Sequence, residues 1–214
     1  SIVGDILDMS KIEAGKMEIV NVNYKPRVIF NDLVKLIKPR IGEKPIELKT
    51  SFSDDIPYEL YGDMGKVKEI ITNLLTNAAK YTDKGIITFE VSCINQKNTS
   101  KLVISVEDTG RGIKPDKIDK LFTKFERLDV ELNTTTEGVG LGLAITKELV
   151  SMMHGKIDVT SSQNQGSTFT VFIPQKIGVL MPKVIENTQV NNDKLLKKVL
   201  IVDADLRKGR QHRI

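Results

Sequence analysis

The chain has 214 residues, 40% hydrophobic and 28% charged, enough apolar matter for a packed core and too much for a wholly disordered chain. Lysine and arginine number 32 against 28 acidic residues, a net charge of +4, and aromatics make up 5%; with no block of like charge, neither a nucleic-acid arm nor a base-stacking platform is expected. No apolar run approaches the ~20 residues of a membrane span. The single cysteine, Cys93, fits a reducing compartment, and the opening Ser1 carries no secretory pattern and reads as a cut within a longer chain. A soluble, intracellular segment is expected.

Ile2, Ile6, Met9 and Ile12 recur at helical spacing, which predicts a helix over residues 2–16 stopped by Gly15; so narrow a stripe belongs to one helix of a bundle. Residues 18–24 alternate and predict a strand. Pro26 at a first turn, with Ile29, Leu33, Ile37 and Ile41 on one face, predicts a helix ending near Gly42. Residues 46–52 alternate again. The clearest helix runs over residues 63–82, capped by Asp63, with Val67, Ile70, Ile71, Leu74, Leu75 and Ala78 as its apolar face. Residues 86–93 and 102–107 predict a hairpin around a polar turn at 95–100. A short helix is expected at 116–121, a loop at 129–137, a helix through His154 ended by Gly155, and strands at 156–160 and 167–173. Residues 175–197 read as a linker, and 198–203 as a short buried strand with acids behind it. Irregular alternation with hairpins predicts an α+β fold, a mixed, mainly antiparallel sheet with helices on one face.

Three constellations carry chemistry. Glu69, Asn73 and Asn77 stand four apart on the long helix and share a stripe that Lys80 and Tyr81 continue. Its plain reading is a solvated face; two asparagines, poor helix formers, in a helix interior point instead to a hard, neutral oxygen ligand of the kind magnesium takes. The second is Glu107-Asp108-Thr109-Gly110-Arg111-Gly112-Ile113 after an apolar strand. By composition it is a turn; by chemistry, Asp108 accepts a hydrogen bond from an adenine amino group while the glycines let the backbone approach the base. Such an acceptor rejects guanine, which presents an oxygen there. The third is Gly138-Val139-Gly140-Leu141-Gly142, then Leu143, opening a helix whose free N–H groups suit phosphate. The dinucleotide fingerprint fails: no strand directly precedes, Leu143 replaces its third glycine, and the lysine of a P-loop is missing too.

In this order the three constellations resemble the ATP-binding catalytic domain of sensor histidine kinases, within the superfamily that includes gyrase, the large heat-shock chaperones and the mismatch-repair ATPases. Residues 73–82 are similar to the kinases' asparagine box, 108–112 to the first glycine box, 121–127 to the phenylalanine box, 138–143 to the second glycine box, and Gly166-Ser167-Thr168-Phe169 to the closing motif. Over residues 18–174 the resemblance implies a two-layer α/β sandwich of the Bergerat type. Residues 1–17 resemble the end of the second helix of a dimerisation and phosphoacceptor domain. Residues 198–214, beyond the linker, resemble the start of a receiver domain, far short of the ~100 residues a domain needs. The parent is then a hybrid kinase, homodimeric when whole.

The resemblance further implies ATP and Mg2+ as cofactors, with Asn77 ligating the metal and Asn73 supporting it. Glu69, Asn73 and Lys80 fall at catalytic positions, and Lys80 and Tyr81 lie near the phosphates or sugar. Asp108 takes the adenine amine beside Gly110, Gly112 and Ile113, and Thr168 helps hold it, often through water. Arg127 and residues 129–139 form a lid whose base Phe122 and Phe125 pack, and Gly138, Val139, Gly140, Leu141, Gly142 and Leu143 surround the phosphates. The γ-phosphoryl group goes to a neutral imidazole. His154, just before Gly155, reads as a helix-end partner and His212 lies in the tail; neither has the family's acid beside it. The acceptor is therefore expected outside this chain, on the phosphoacceptor domain of the same or a partner subunit, with a receiver domain or response regulator next in line. No nucleic-acid partner is expected, and the domain is cytoplasmic, tied to a membrane only through regions outside the chain. Two other readings stay open: an ATP-hydrolysing switch of the gyrase or chaperone kind with Glu69 as general base, and a module that only binds a partner.

Overall fold

In a computed structural model of the chain, the described residues are 2–124 and 140–178. Phe125, Arg127, the expected lid with Gly138 and Val139, the receiver-like stub and His212 lie outside them. α1 (Ile2–Glu13) buries Met9 and leaves Ile2, Val3, Ile6 and Leu7 exposed. Gly15 follows it with φ +62°, the left-handed cap that glycine takes without a Cβ penalty.

β1 (Val22–Tyr24) is shorter than the expected 18–24, because its partner β3 (Leu60–Gly62) offers only three residues to pair with. β3 has no counterpart in the sequence reading; three residues are too few to show a period. Between them lie α2 (Pro26–Ile41), which buries Ile29, Phe30, Leu33, Ile37 and Ile41 and continues through Pro39 in its last turn, and β2 (Ile46–Phe52). α3 (Met64–Tyr81) starts at Asp63, whose side chain accepts from Lys66 N at 2.9 Å and from Val20 N at 2.8 Å. One carboxylate thus caps the helix and ties down the extended segment before β1.

β4 (Gly85–Gln96) and β5 (Thr99–Asp108) form the expected hairpin, but the turn is only Lys97 and Asn98. The polar residues expected in the turn pair instead, Asn95 with Ser100 and Gln96 with Thr99, because a ladder is held by backbone groups that every side chain leaves available. Next come α4 (Pro115–Ile118), α5 (Gly142–Met152), β6 (Lys156–Ser162) and β7 (Gly166–Ile177). α5 does not reach His154, and it is His154, with φ +55°, rather than Gly155 that turns the chain. Gly155 is needed for space: a Cβ there would press on the Phe172 carbonyl and approach Val150 Cγ1 to 3.0 Å.

The strands join in the order β1-β3-β7-β5-β4-β2, with β6 also paired to β7. β2 and β4 run parallel, and the remaining pairs are antiparallel. β7 passes residue 174 and pairs Tyr61 with Lys176 and Leu60 with Ile177, in the first residues of the stretch read as a linker. Alternate residues point to opposite faces. Ile87, Phe89, Val91, Leu102, Ile104, Val106, Phe169, Val171 and Ile173 are buried beneath α2, α3 and α5, in one core with Phe30, Leu33 and Leu74. Phe52 and Phe89 meet edge-on at 5.3 Å beside Phe30. The mixed, mainly antiparallel sheet with helices on one face is the α+β class expected. Among the described residues no helix is long and apolar enough to cross a membrane.

Candidate functional site

α3 needs its apolar face for the core, so its polar stripe is left at the rim, where Glu69, Asn73, Asn77, Lys80 and Tyr81 are all half-buried. Glu69 accepts from Lys66 Nζ at 2.9 Å, an i,i+3 ion pair on the same helix. Asn73 Nδ2 donates to Thr146 Oγ1 at 2.6 Å, and Thr146 is buried on α5. The oxygen of the same carboxamide would lie 2.6 Å from a Cβ on Gly142. Gly142 must therefore lack a side chain for α5 to begin where it does, against Asn73.

α5 starts at Gly142 with Leu141 at the cap position and no side chain accepting from its first turn. Gly140, with φ +75°, leads into it, and Leu143 packs against the core. The first N–H groups of a helix have no partner within it, so this end is electropositive and suited to an anion, and among the described residues no side chain caps it.

Asp108 closes β5 and is 7% exposed. Gly110 N donates to its Oδ1 at 2.8 Å. Burial pushes the Asp108 carboxyl above the ordinary 3.8; the backbone N–H groups of Gly110 and Ser167 pull it back, and the neighbouring Glu107 charge adds to the rise. The glycine-rich turn is clamped on two sides. Arg111 N donates to the Tyr81 carbonyl at 3.3 Å and Asn164 N to the Arg111 carbonyl at 2.7 Å, joining the turn to the end of α3 and to the β6–β7 connection. A Cβ on Gly110 would collide with the Tyr81 carbonyl, and one on Gly112, at φ +60°, with the Ser162 carbonyl. The Tyr81 ring carries the Arg111 guanidinium 4.4 Å from its centre and Lys80 Nζ at 4.9 Å, which gathers two cations at one corner.

Thr168 is not brought to Asp108. It pairs with Glu107, whereas Asp108 pairs with Ser167, and a one-residue step along a strand changes the face a side chain occupies. Ser167 is buried and its hydroxyl lies 3.0 Å from that of Ser161, which also accepts from Ile113 N at 2.9 Å. The side chains that the structure adds around the candidate residues are thus Ser161, Ser167, Thr146 and Arg111. Ser167 was one position from the expected one, and Arg111 lay inside the motif; nothing local marks Ser161 or Thr146. Two depressions, of 370 and 280 Å3, lie elsewhere on the described surface, one beside Lys101, His154 and Lys156 and one beside Ser51, Glu90 and Thr170; neither includes a residue of this corner.

Residues 62–177 match the family described as histidine kinase-, DNA gyrase B-, and HSP90-like ATPase. The chain is 38% identical over 173 residues to the sensor histidine kinase RcsC of Salmonella typhimurium, covering 81% of the chain and 18% of that protein. It is 34% identical over 209 residues to the sensor protein TorS of Escherichia coli, covering 96% of the chain and 22% of that protein. Only about a fifth of either relative is spanned. Among solved structures it is similar to full-length ShkA in complex with AMPPNP, with a TM-score of 0.71 and 28% identity, covering 83% of the chain and 36% of that one. With the Asp108 turn, the asparagine stripe and the glycine start of α5 on one such fold, the chain belongs to the histidine kinase-, gyrase B- and HSP90-like ATPase family, and its relatives include sensor and hybrid signal transduction histidine kinases.

Proposed function

We propose that this chain is the ATP- and Mg2+-binding catalytic domain of a two-component sensor histidine kinase, passing the γ-phosphoryl group to a histidine outside the chain. The observation that carries this reading is the pair of anchor points along α3. Near its end stand Tyr81 and the Asp108–Gly110 turn; two turns earlier, Asn73 abuts Gly142 at the open start of α5. Eight residues of helix separate them by about 12 Å, a span suited to a nucleoside triphosphate lying along the helix. Its adenine amine donates to Asp108, and its phosphates meet the N–H groups of α5.

The donor set fits a magnesium ion held by the Asn77 carboxamide oxygen with Asn73 beside it, since both offer hard, neutral oxygens; when bound, such an ion offsets phosphate charge. Lys80 places a further cation by the sugar or phosphates. A neutral imidazole nitrogen attacks the γ-phosphorus while the bond to the β,γ-bridging oxygen breaks, and ADP leaves with that electron pair. Positioning and charge, which this chain supplies, dominate such a transfer. Lys66 already holds the Glu69 carboxylate, which favours the kinase over a hydrolysing switch that needs Glu69 as a free base. The acceptor lies on a phosphoacceptor domain of the same or a partner subunit of a homodimer, a receiver domain takes the group next, and the use of ATP places the domain in the cytoplasm.

Calorimetric titration with AMPPNP, with and without Mg2+, tests the reading. Asp108→Ala is expected to abolish binding and Asn77→Ala to weaken Mg2+-dependent binding at least about tenfold, with GTP not bound by the wild type. Wild-type affinity in both variants would overturn it.

A further inference from the structure

Thr82 follows α3 directly and is entirely buried, and among the described residues its hydroxyl has no hydrogen-bond partner. A buried hydroxyl left unpaired is costly, so its surroundings decide what it is kept for. A Cβ on Gly110 would lie 2.9 Å from Thr82 Oγ1 and 2.7 Å from Asp108 Oδ1. The two oxygens therefore border the same small gap, held open by the missing side chain of Gly110. The backbone of Thr82 is fixed on both sides: its N–H donates to the Ala78 carbonyl at 3.1 Å and its carbonyl accepts from Lys44 Nζ at 2.9 Å. The hydroxyl is thus a placed group, not the end of a loose chain.

Asp108 has a use for it. An ionised carboxylate accepts about four hydrogen bonds, and here the backbone N–H groups of Gly110 and Ser167 supply two. β4 presents Ile87 and β7 presents Ser167 opposite Asp108. The charge acting on it is Glu107, of like sign, while Lys80 and Arg111 in the same corner lie on the Tyr81 ring. A donor from the end of α3 would add to the two backbone donors seen among the described residues.

We propose that Thr82 is a positioning residue for base recognition: its hydroxyl donates to the Asp108 carboxylate, directly or across one water, and holds it ionised and turned toward the amino group of adenine. This rests on the reading that Asp108 takes that amine. No covalent step is involved. The hydroxyl spans the gap by a side-chain rotation, and Gly110 is required because any larger residue would fill the space between the two groups.

The test titrates AMPPNP with Mg2+ into the 214-residue chain and its variants from about pH 5 to about pH 8. Thr82→Val keeps the shape and removes the donor; it is expected to weaken binding roughly tenfold at neutral pH. It is also expected to raise the pH at which affinity falls on acidification, since a lost donor lets the carboxylate hold its proton longer. Thr82→Ser restores both. Thr82→Ala serves as the second donor-free variant if Thr82→Val fails to fold. Unchanged affinity in the donor-free variant, or a loss uniform across pH that serine does not restore, overturns the proposal and leaves Thr82 a packing residue. Asp108→Ala separates the two ideas. If it still binds AMPPNP, the reading of Asp108 fails; if it does not, and Thr82→Val binds as wild type, only the role of Thr82 fails.

Discussion

At Asp108, the proposed base recognition and stability pull against each other. Burial raises its carboxyl above the 3.8 of an exposed aspartate, so the folded chain keeps the proton to a higher pH than the unfolded chain does. Its contribution to stability is therefore present on the acid side and is lost as pH rises through the folded value. At neutral pH the ionised group weighs against the fold, a cost the proposed role accounts for, since a neutral acid could not accept the adenine amine in the same way. Asp108→Asn, which keeps an oxygen for the Gly110 N–H, is expected to melt at or above the wild-type temperature at neutral pH while losing AMPPNP binding. The difference in melting temperature closes as pH falls toward 3.8; a lower melting temperature for the variant at neutral pH would contradict this. Asp108 was legible in the sequence because a strand end followed by alternating glycines is a local pattern. Ser167 was not, because placing it opposite Asp108 depends on the β5–β7 register, and a slip of one residue points to Thr168 instead. Thr146 and Ser161 are brought in by chain segments far away in sequence, where no local spacing can announce them.

The helix that carries most of the site is held at both ends by side chains, one its own cap and one from another part of the chain. Asp63 caps the start of α3, and Lys44, from the loop before β2, donates from Nζ to the Ala79 and Thr82 carbonyls at 2.8 and 2.9 Å. A cation on the last carbonyls satisfies acceptors that the helix leaves open and opposes its negative pole. Lys44→Met is expected to cost about 1 kcal/mol in urea unfolding and to speed amide exchange in the turn that carries Lys80 and Tyr81; Lys44→Arg should recover most of it. Unaltered exchange in that turn would show the contact to be idle. Asp63 and the apolar face made α3 readable over its whole length, since cap and period are both local signals. Lys44 is a plain lysine in a loop, and β3 is too short to show alternation; each gains its meaning from a partner elsewhere in the fold.

Across the described residues, the core under α2, α3 and α5 runs from Met9 to Ile173, and Phe89 is fully buried in it with Phe30 and Phe52 packed against its ring. Phe89→Ala is expected to cost about 3–5 kcal/mol. Because the core is shared, far-UV dichroism and tyrosine fluorescence should still report one coincident unfolding transition; separated transitions would divide the core into independent parts. The α+β class was legible because hairpins and helical faces are each written locally. The order of strands was not, since β7 joins β3, β5 and β6 across long stretches of chain. That order has a consequence for synthesis. β7 is the last of the described strands to be made and lies inside the sheet, so a ribosome that has released everything up to residue 165 still presents a nascent chain with the edge of β5 bare. The sheet cannot close until the final dozen strand residues emerge, which leaves an adhesive edge in need of shelter from the completion of β5 to that of β7.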